Sequence, residues 1–299
     1  MDIKRKIAFV YNPISGSHRI IPVIPIIERF TNRDLYDFNI VSTTHKGHAT
    51  ELAAKFAASN YDAVIAVGGD GTVNEVGRGL IGTGTALGII PCGSGNGLAR
   101  HLGIPIDPYK AVKWLNKSIF TDIDYGMMED QPFFCTCGVG FDAKVSDAFS
   151  KAGSRGVLTY MESIMREIAT YQNETYKLSF DNSSETFEAF FITCANADQW
   201  GNNAVIAPTA SLRDGLLDII AAHPFSVVDA PLIAFQLFNR QIDRNPNVSV
   251  RKCPGLTITR KSDGPAHFDG EPIMMGKEIH IRLVHGGLNV LIPDKPRGI

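Results

Sequence analysis

Apolar positions are spaced in two different ways along this chain. Up to Asp122 they form short unbroken runs separated by stretches of helical spacing. KIAFVY (Lys6–Tyr11), DFNIVST (Asp37–Thr43), DAVIAV (Asp62–Val67) and TALGIIP (Thr85–Pro91) read as strands. VIPIIERF, HATELAAKFAAS (His48–Ser59), NEVGRGL and a short piece after Pro91 read as the helices between and after them. Strands alternating with helices predict a parallel sheet covered by helices. The continuous apolar strands agree, because such strands are buried on both faces.

After Asp124 the period becomes two. TYKLSF, TFEAFFITCANA, LLDIIAA, GLTITR and KEIHIRLV read as antiparallel strands. Two helices interrupt them, GVLTYMESIMREIATY (Gly156–Tyr171) and VVDAPLIAFQLF (Val227–Phe238). The expectation is an α/β chain with two domains. Residues 1–125 form an open parallel-sheet domain, to which residues 286–299 return, and residues 126–285 form a β-rich sandwich or open barrel.

Composition narrows the function classes. A chain of 299 residues can bury a sizeable core. Its net charge of −2 argues against nucleic acid and against strong electrostatic anchoring on anionic lipid. No apolar run is long enough to span a bilayer. The start, MDIKRKIAFVYNP, reads as a first strand and not a signal peptide, so a cytoplasmic location is expected. The five cysteines are scattered in apolar surroundings, which predicts reduced thiols. CTC at Cys135–Cys137 lacks a second ligand pair, and His45, His48 and His101 have no zinc spacing.

Four polar or glycine-rich loops carry the candidate chemistry: YNPISGS (Tyr11–Ser17), STTHKGHA (Ser42–Ala49), GGDGTVNE (Gly68–Glu75) and PCGSGNGLAR (Pro91–Arg100). Each follows a predicted parallel strand, at the sheet edge where open α/β sheets bind ligands. Gly68 and Gly69 permit a sharp turn and close approach of a ligand. Thr72 and Glu75 fit a capping box at the start of the next helix. Its outward N–H groups favour an anion, and Asp70 beside a phosphate makes sense with Mg²⁺ nearby. The expected ligand is a phosphate or nucleotide. No Gly-Lys-Ser/Thr follows, so this is not a P-loop. Further on, HFDGEPI places Asp269 and Glu271 around Gly270. Such a pair can supply a general base and its partner, although Asp-Gly by itself is a common hairpin turn.

NPISG, TTHKGHA, GGDGTVNE, PCGSGNGLAR, GVGFDAKV, APTASLRDGLLDI and FDGE follow one another in this order. In that order they resemble the diacylglycerol kinase catalytic-domain family, which includes soluble bacterial lipid kinases and sphingosine and ceramide kinases. The resemblance implies a first domain like the nucleotide domain of NAD kinase and phosphofructokinase, a second β-rich domain, and an active site in the cleft between them. It implies a lipid kinase using ATP and Mg²⁺, in transient peripheral contact with a membrane surface. By position, Asn12, Pro13, Ile14, Ser15, Gly16, Thr43, Gly69, Asp70, Gly71, Thr72, Val73, Asn74, Glu75 and Ser94 match ATP-contacting positions. Asp269 and Glu271 match the catalytic acids, with Glu271 as proton acceptor, and Asp70 holds Mg²⁺ in part. Ser211, Asp214 and Leu216 match a structural Mg²⁺ site, the first and last through backbone carbonyls. Two positions depart from bacterial diacylglycerol kinases. Gly97 stands where they carry a second acid, closer to the sphingosine and ceramide kinase version, and Cys135 stands where many relatives have Asn. GGDGT alone is shared with NAD kinases, so an NAD kinase-like enzyme is one alternative. A non-catalytic lipid- or nucleotide-binding protein on the same fold is another. An exposed edge of the β domain offers a route to a homodimer.

Overall fold

The computed structural model describes residues 4–15, 22–144 and 171–294. The expected helix Gly156–Tyr171 therefore falls almost entirely outside the described residues, as does Gly16. The chain divides into two compact units, residues 1–125 with 285–299, and residues 126–284.

The first unit alternates β1 (Arg5–Tyr11), α1 (Val23–Phe30), β2 (Tyr36–Ser42), α2 (His48–Ala58), β3 (Ala63–Gly68), α3 (Asp70–Leu80) and β4 (Ala86–Pro91). The short α4 (Gly97–His101), α5 (Pro108–Leu115) and β5 (Ile119–Met128) follow. The sheet order is β2-β1-β3-β4, all parallel. Every residue of β3 and β4 is buried. That is why their sequences are apolar without alternation: helices cover both faces, so no strand face needs polar residues.

The second unit contains β6 (Gln131–Phe133), β7 (Thr136–Gly140), β8 (Glu174–Phe180), β9 (Ser183–Ala189), β10 (Phe191–Ala195), β11 (Gln199–Gly201), β12 (Ala204–Val205) and β13 (Leu217–Ala222). Then come α6 (Ala230–Phe238), β14 (Val248–Cys253), β15 (Gly255–Arg260), β16 (Gly264–Phe268), β17 (Glu271–Met275) and β18 (Glu278–Ile292). One antiparallel layer runs β14-β13-β10-β7-β16-β17, and the other runs β18-β15-β8-β9. Their facing side chains form a sandwich core that includes Val139, Ile192 and Ile219 from one layer and Tyr176, Ile258 and Ile281 from the other. TFEAFFITCANA, expected as one strand, is two. β9 pairs with β8 and β10 with β7 and β13, so the chain changes layers at Phe190. The end of β18 lies in the first unit, where Val290 pairs with Leu87 of β4.

Candidate active site

β1, β2, β3 and β4 end at Tyr11, Ser42, Gly68 and Pro91. Because they are parallel, the four following loops leave from one edge of the sheet. β1 is flanked by β2 on one side and β3 on the other, so strand order reverses between β1 and β3. Open α/β sheets bind ligands at that switch point. Asn12 and Gly69 leave the sheet there.

Specific bonds tie the loops together. The Asn12 side-chain amide donates to Thr72 Oγ1 at 3.1 Å, and its carbonyl accepts the Ile14 N–H at 3.1 Å. The Asp70 carboxylate accepts the N–H groups of Asn96 at 2.8 Å and Gly97 at 2.6 Å. Asn96 sits in the left-handed region with φ 54°. Its amide closes the loop on itself, accepting from Gly93 N–H at 3.0 Å and donating to Gly93 C=O at 2.7 Å. Thr43 N–H donates to Tyr11 C=O at 2.8 Å.

Backbone approach fixes glycine at two points. A Cβ on Gly93 would lie 2.5 Å from the Cα of Gly69, and one on Gly68 would overlap the Thr72 side chain. The loops after β3 and β4 therefore touch backbone to backbone.

The expected capping box is corrected. α3 starts at Asp70 with Gly69 as its N-cap, and no side chain caps it. Glu75 instead accepts from Gly47 N–H at 2.9 Å and Ala49 N–H at 3.1 Å. It thereby caps α2, whose own N-cap, Gly47, has no side chain to do so. The start of α2 is thus tied to the middle of α3, and the first turn of α3 is left without a side-chain cap on its N–H groups. Among the matched positions, Pro13, Ile14, Gly71 and Ser94 are exposed. Asn12, Ser15, Thr43, Gly69, Asp70 and Glu75 are half-buried, and Thr72, Val73 and Asn74 are buried.

In the second unit, Asp269 and Gly270 are the two-residue loop of the β16–β17 hairpin, with Phe268 paired to Glu271. Their φ values, 46° and 80°, are both positive, as a type I′ loop requires. The Asp269 carboxylate accepts three backbone N–H groups, from Phe134 at 2.8 Å, Cys135 at 2.7 Å and Thr136 at 3.1 Å. The Asp269 N–H in turn donates to Thr136 C=O at 2.7 Å. Residue 135 meets Asp269 through its backbone N–H, which Cys and Asn both carry. Glu271 opens β17, half-buried. Two residues before the loop, the buried His267 places Nε2 at 3.0 Å from Asp142 Oδ2, which also accepts from Thr193 Oγ1 at 2.7 Å.

At the Ser211–Leu216 turn both Asp214 carboxylate oxygens have protein partners. Asp214 Oδ1 accepts the Leu216 N–H at 3.1 Å, and Asp214 Oδ2 accepts from Lys252 Nζ at 2.8 Å. Burial raises the Asp218 carboxyl above the ordinary range, partly offset by bonds from Thr209 and Lys252. Burial pulls Lys252 down, but Asp214 and Asp218 outweigh it and leave the amine raised. Among the described residues, no group of three or more His, Cys, Asp or Glu side chains is gathered to hold a metal. All five cysteines are unbridged thiols. Cys92, beside the fourth loop, is pushed up to about 11 by burial and is neutral at ordinary pH.

Sequence reasoning missed Asn96 and Lys252. Asn96-Gly97 carried a usable signal, since Asn tolerates the left-handed region. Lys252 carried none, because it reaches the turn only through the Asp218–Lys252 register of β13 and β14.

Comparison with known proteins agrees with this arrangement. The diacylglycerol kinase catalytic domain matches residues 6–128, and the YegS C-terminal NAD kinase beta sandwich-like domain matches residues 135–292. The chain is 30% identical to the probable lipid kinase YegS of Salmonella typhimurium, over 84% of this chain and 85% of that protein. It is 25% identical to a diacylglycerol kinase of Staphylococcus saprophyticus, over 90% of each. A crystal structure of a putative diacylglycerol kinase from Bacillus anthracis shares the fold, with TM-score 0.79, 22% identity and coverage of 97% of this chain and 96% of that one. Among the described residues no helix is long and apolar enough to cross a membrane. With both domains matched along the chain, this protein belongs to the diacylglycerol kinase catalytic-domain family and is a kinase.

Proposed function

We propose that the chain transfers the γ-phosphoryl group of ATP to a lipid hydroxyl. The observation that carries this reading is the loop cluster at the β1/β3 switch point. There an α3 N-terminus without a side-chain cap meets two glycine loops in backbone contact. Backbone N–H groups at a helix start suit phosphate oxygens, and removing side chains lets the phosphates come close. Asn12, Ser15, Thr43, Gly69, Gly71 and Ser94 would line the nucleotide. The buried Thr72, Val73 and Asn74 would support it from beneath. The names of the relatives, a lipid kinase and a diacylglycerol kinase, point to a lipid acceptor, met in transient contact at a membrane surface.

In the proposed reaction Glu271 accepts the proton of the acceptor hydroxyl. The freed oxygen bonds to the γ-phosphorus, the bond to the β–γ bridging oxygen breaks, and ADP leaves. Asp269 is a positioning residue, because its carboxylate is engaged by three N–H groups that hold the Glu271 turn. Each Asp70 oxygen accepts one N–H and keeps a second lone-pair site. That donor set fits a hydrated Mg²⁺ arriving with the nucleotide. Bound there, Mg²⁺ would offset charge on the phosphate oxygens. At Gly97 the N–H donates to Asp70, and no side-chain acid contributes from that position.

The test is a labelled-ATP assay over diacylglycerol, sphingoid bases, ceramide, phosphatidylglycerol and NAD. Label recovered in an organic-phase lipid is the expected result. Label recovered in NADP, or nucleotide binding with no transfer to any acceptor, overturns the reading.

A further inference from the structure

The Ser211–Leu216 turn departs from the metal site that the family resemblance assigns to it. Lys252 lies directly across from Asp218 in the antiparallel β13–β14 register. Its ammonium donates to Asp214 Oδ2 at 2.8 Å and to Thr209 C=O at 3.0 Å, and forms an ion pair with Asp218 Oδ2 at 3.1 Å. The other oxygens are engaged too. Asp214 Oδ1 takes the Leu216 N–H at 3.1 Å, and Asp218 Oδ1 takes the Thr209 hydroxyl at 2.8 Å. Asp218 is 1% exposed, so its charge needs a partner within the protein.

A Mg²⁺ bound through Asp214 would need oxygen ligands at about 2.0–2.1 Å in octahedral array. The oxygen of Asp214 not held by Leu216 already contacts an ammonium. A second, doubly charged cation at that carboxylate would lie within a few ångströms of Nζ, where like charges repel strongly in a half-buried site. Asp214 Oδ1 keeps a second lone-pair site as the Asp70 oxygens do, so what makes this donor set unfit for the ion is the ammonium charge already seated at the carboxylate.

We infer that the Lys252 ammonium takes the place of a structural divalent cation at the Asp214–Asp218 turn, making this part of the fold independent of metal. The cation is then part of the chain, delivered by strand register.

Thermal unfolding of the full chain without nucleotide tests this directly, and its outcome is independent of any kinase assay. The wild-type Tm should be the same in excess EDTA and in millimolar Mg²⁺. Lys252→Met keeps most of the stem and removes the charge. It should lower Tm by about 5 °C or more, because it strands a buried carboxylate. Lys252→Arg should recover part of that loss. A wild-type Tm that falls on chelation or rises with Mg²⁺ overturns the inference, as does a Lys252→Met protein with unchanged Tm. If Lys252→Met does not fold, the chelation arm on the wild-type protein decides alone.

Discussion

The two units solve the same positioning problem with the same device under different constraints. In each, a carboxylate gathers consecutive backbone N–H groups from a loop distant in sequence. Asp70 holds Asn96 and Gly97, and Asp269 holds Phe134, Cys135 and Thr136. In the first unit the parallel sheet already sends all four loops from one edge. Its carboxylates therefore only set spacing between neighbours, and glycines let the loops touch. In the second unit the antiparallel β7–β16 register, with Cys137 opposite Phe268, carries the start of β7 to the β16–β17 turn. Asp269, in the left-handed region, adds the side-chain bonds that hold the segment leading into β7 against that turn. In the parallel sheet strand direction gathers four loops at one edge, whereas in the antiparallel layer strand register places one segment at one turn and a carboxylate fixes it.

The sharpest way to separate the two regions is Glu271→Gln. Turnover should fall about 10²–10⁴-fold, the usual contribution of a general base, while ATP binding measured by calorimetry stays near wild type. Normal turnover would remove the role given to Glu271. Next in size are Asp70→Asn and Asp269→Asn, compared side by side. Each weakens hydrogen bonds made by a charged acceptor, which contribute about 1.5–3 kcal/mol apiece. Urea unfolding should show a loss of about 2 kcal/mol in both. Only Asp70→Asn should also weaken ATP binding, since only Asp70 holds the nucleotide-side loops. Equal loss of ATP affinity in the two would break the distinction. The two glycine substitutions span a range from about this size downward. Gly93→Ala forces a Cβ against Gly69 Cα, and overpacking of this kind costs about 1–3 kcal/mol. Gly270→Ala meets open space but keeps φ at +80°, a strain of about 1 kcal/mol. The first should impair ATP affinity and the second should not.

Much of this was legible in the chain itself. Unbroken apolar runs in β3 and β4 announced strands buried on both faces, and period two in GLTITR announced β15, whose residues alternate in burial. The four loops were readable as a group because each follows a strand. Glu75 shows where such reading stops. Its spacing from Thr72 satisfies a capping box, yet its carboxylate caps the neighbouring α2, because the α2–α3 packing brings Gly47 and Ala49 within reach. The same holds for Asp214. The family resemblance implied a metal ligand there, and the structure adds a bond that local sequence does not announce, from Lys252 of the adjacent strand to Asp214 Oδ2.

The sequence by itself determined the strand–helix alternation, the β-rich second half and the glycines, since each depends on local backbone freedom or on which face an element buries. The tertiary structure alone decided which partner each carboxylate takes: Asn96 and Gly97 for Asp70, Gly47 and Ala49 for Glu75, residues 134–136 for Asp269, and Lys252 for Asp214. A hydrogen bond is set by a separation of about 3 Å in space. Residues far apart in the chain acquire that separation only when strand order and register are in place.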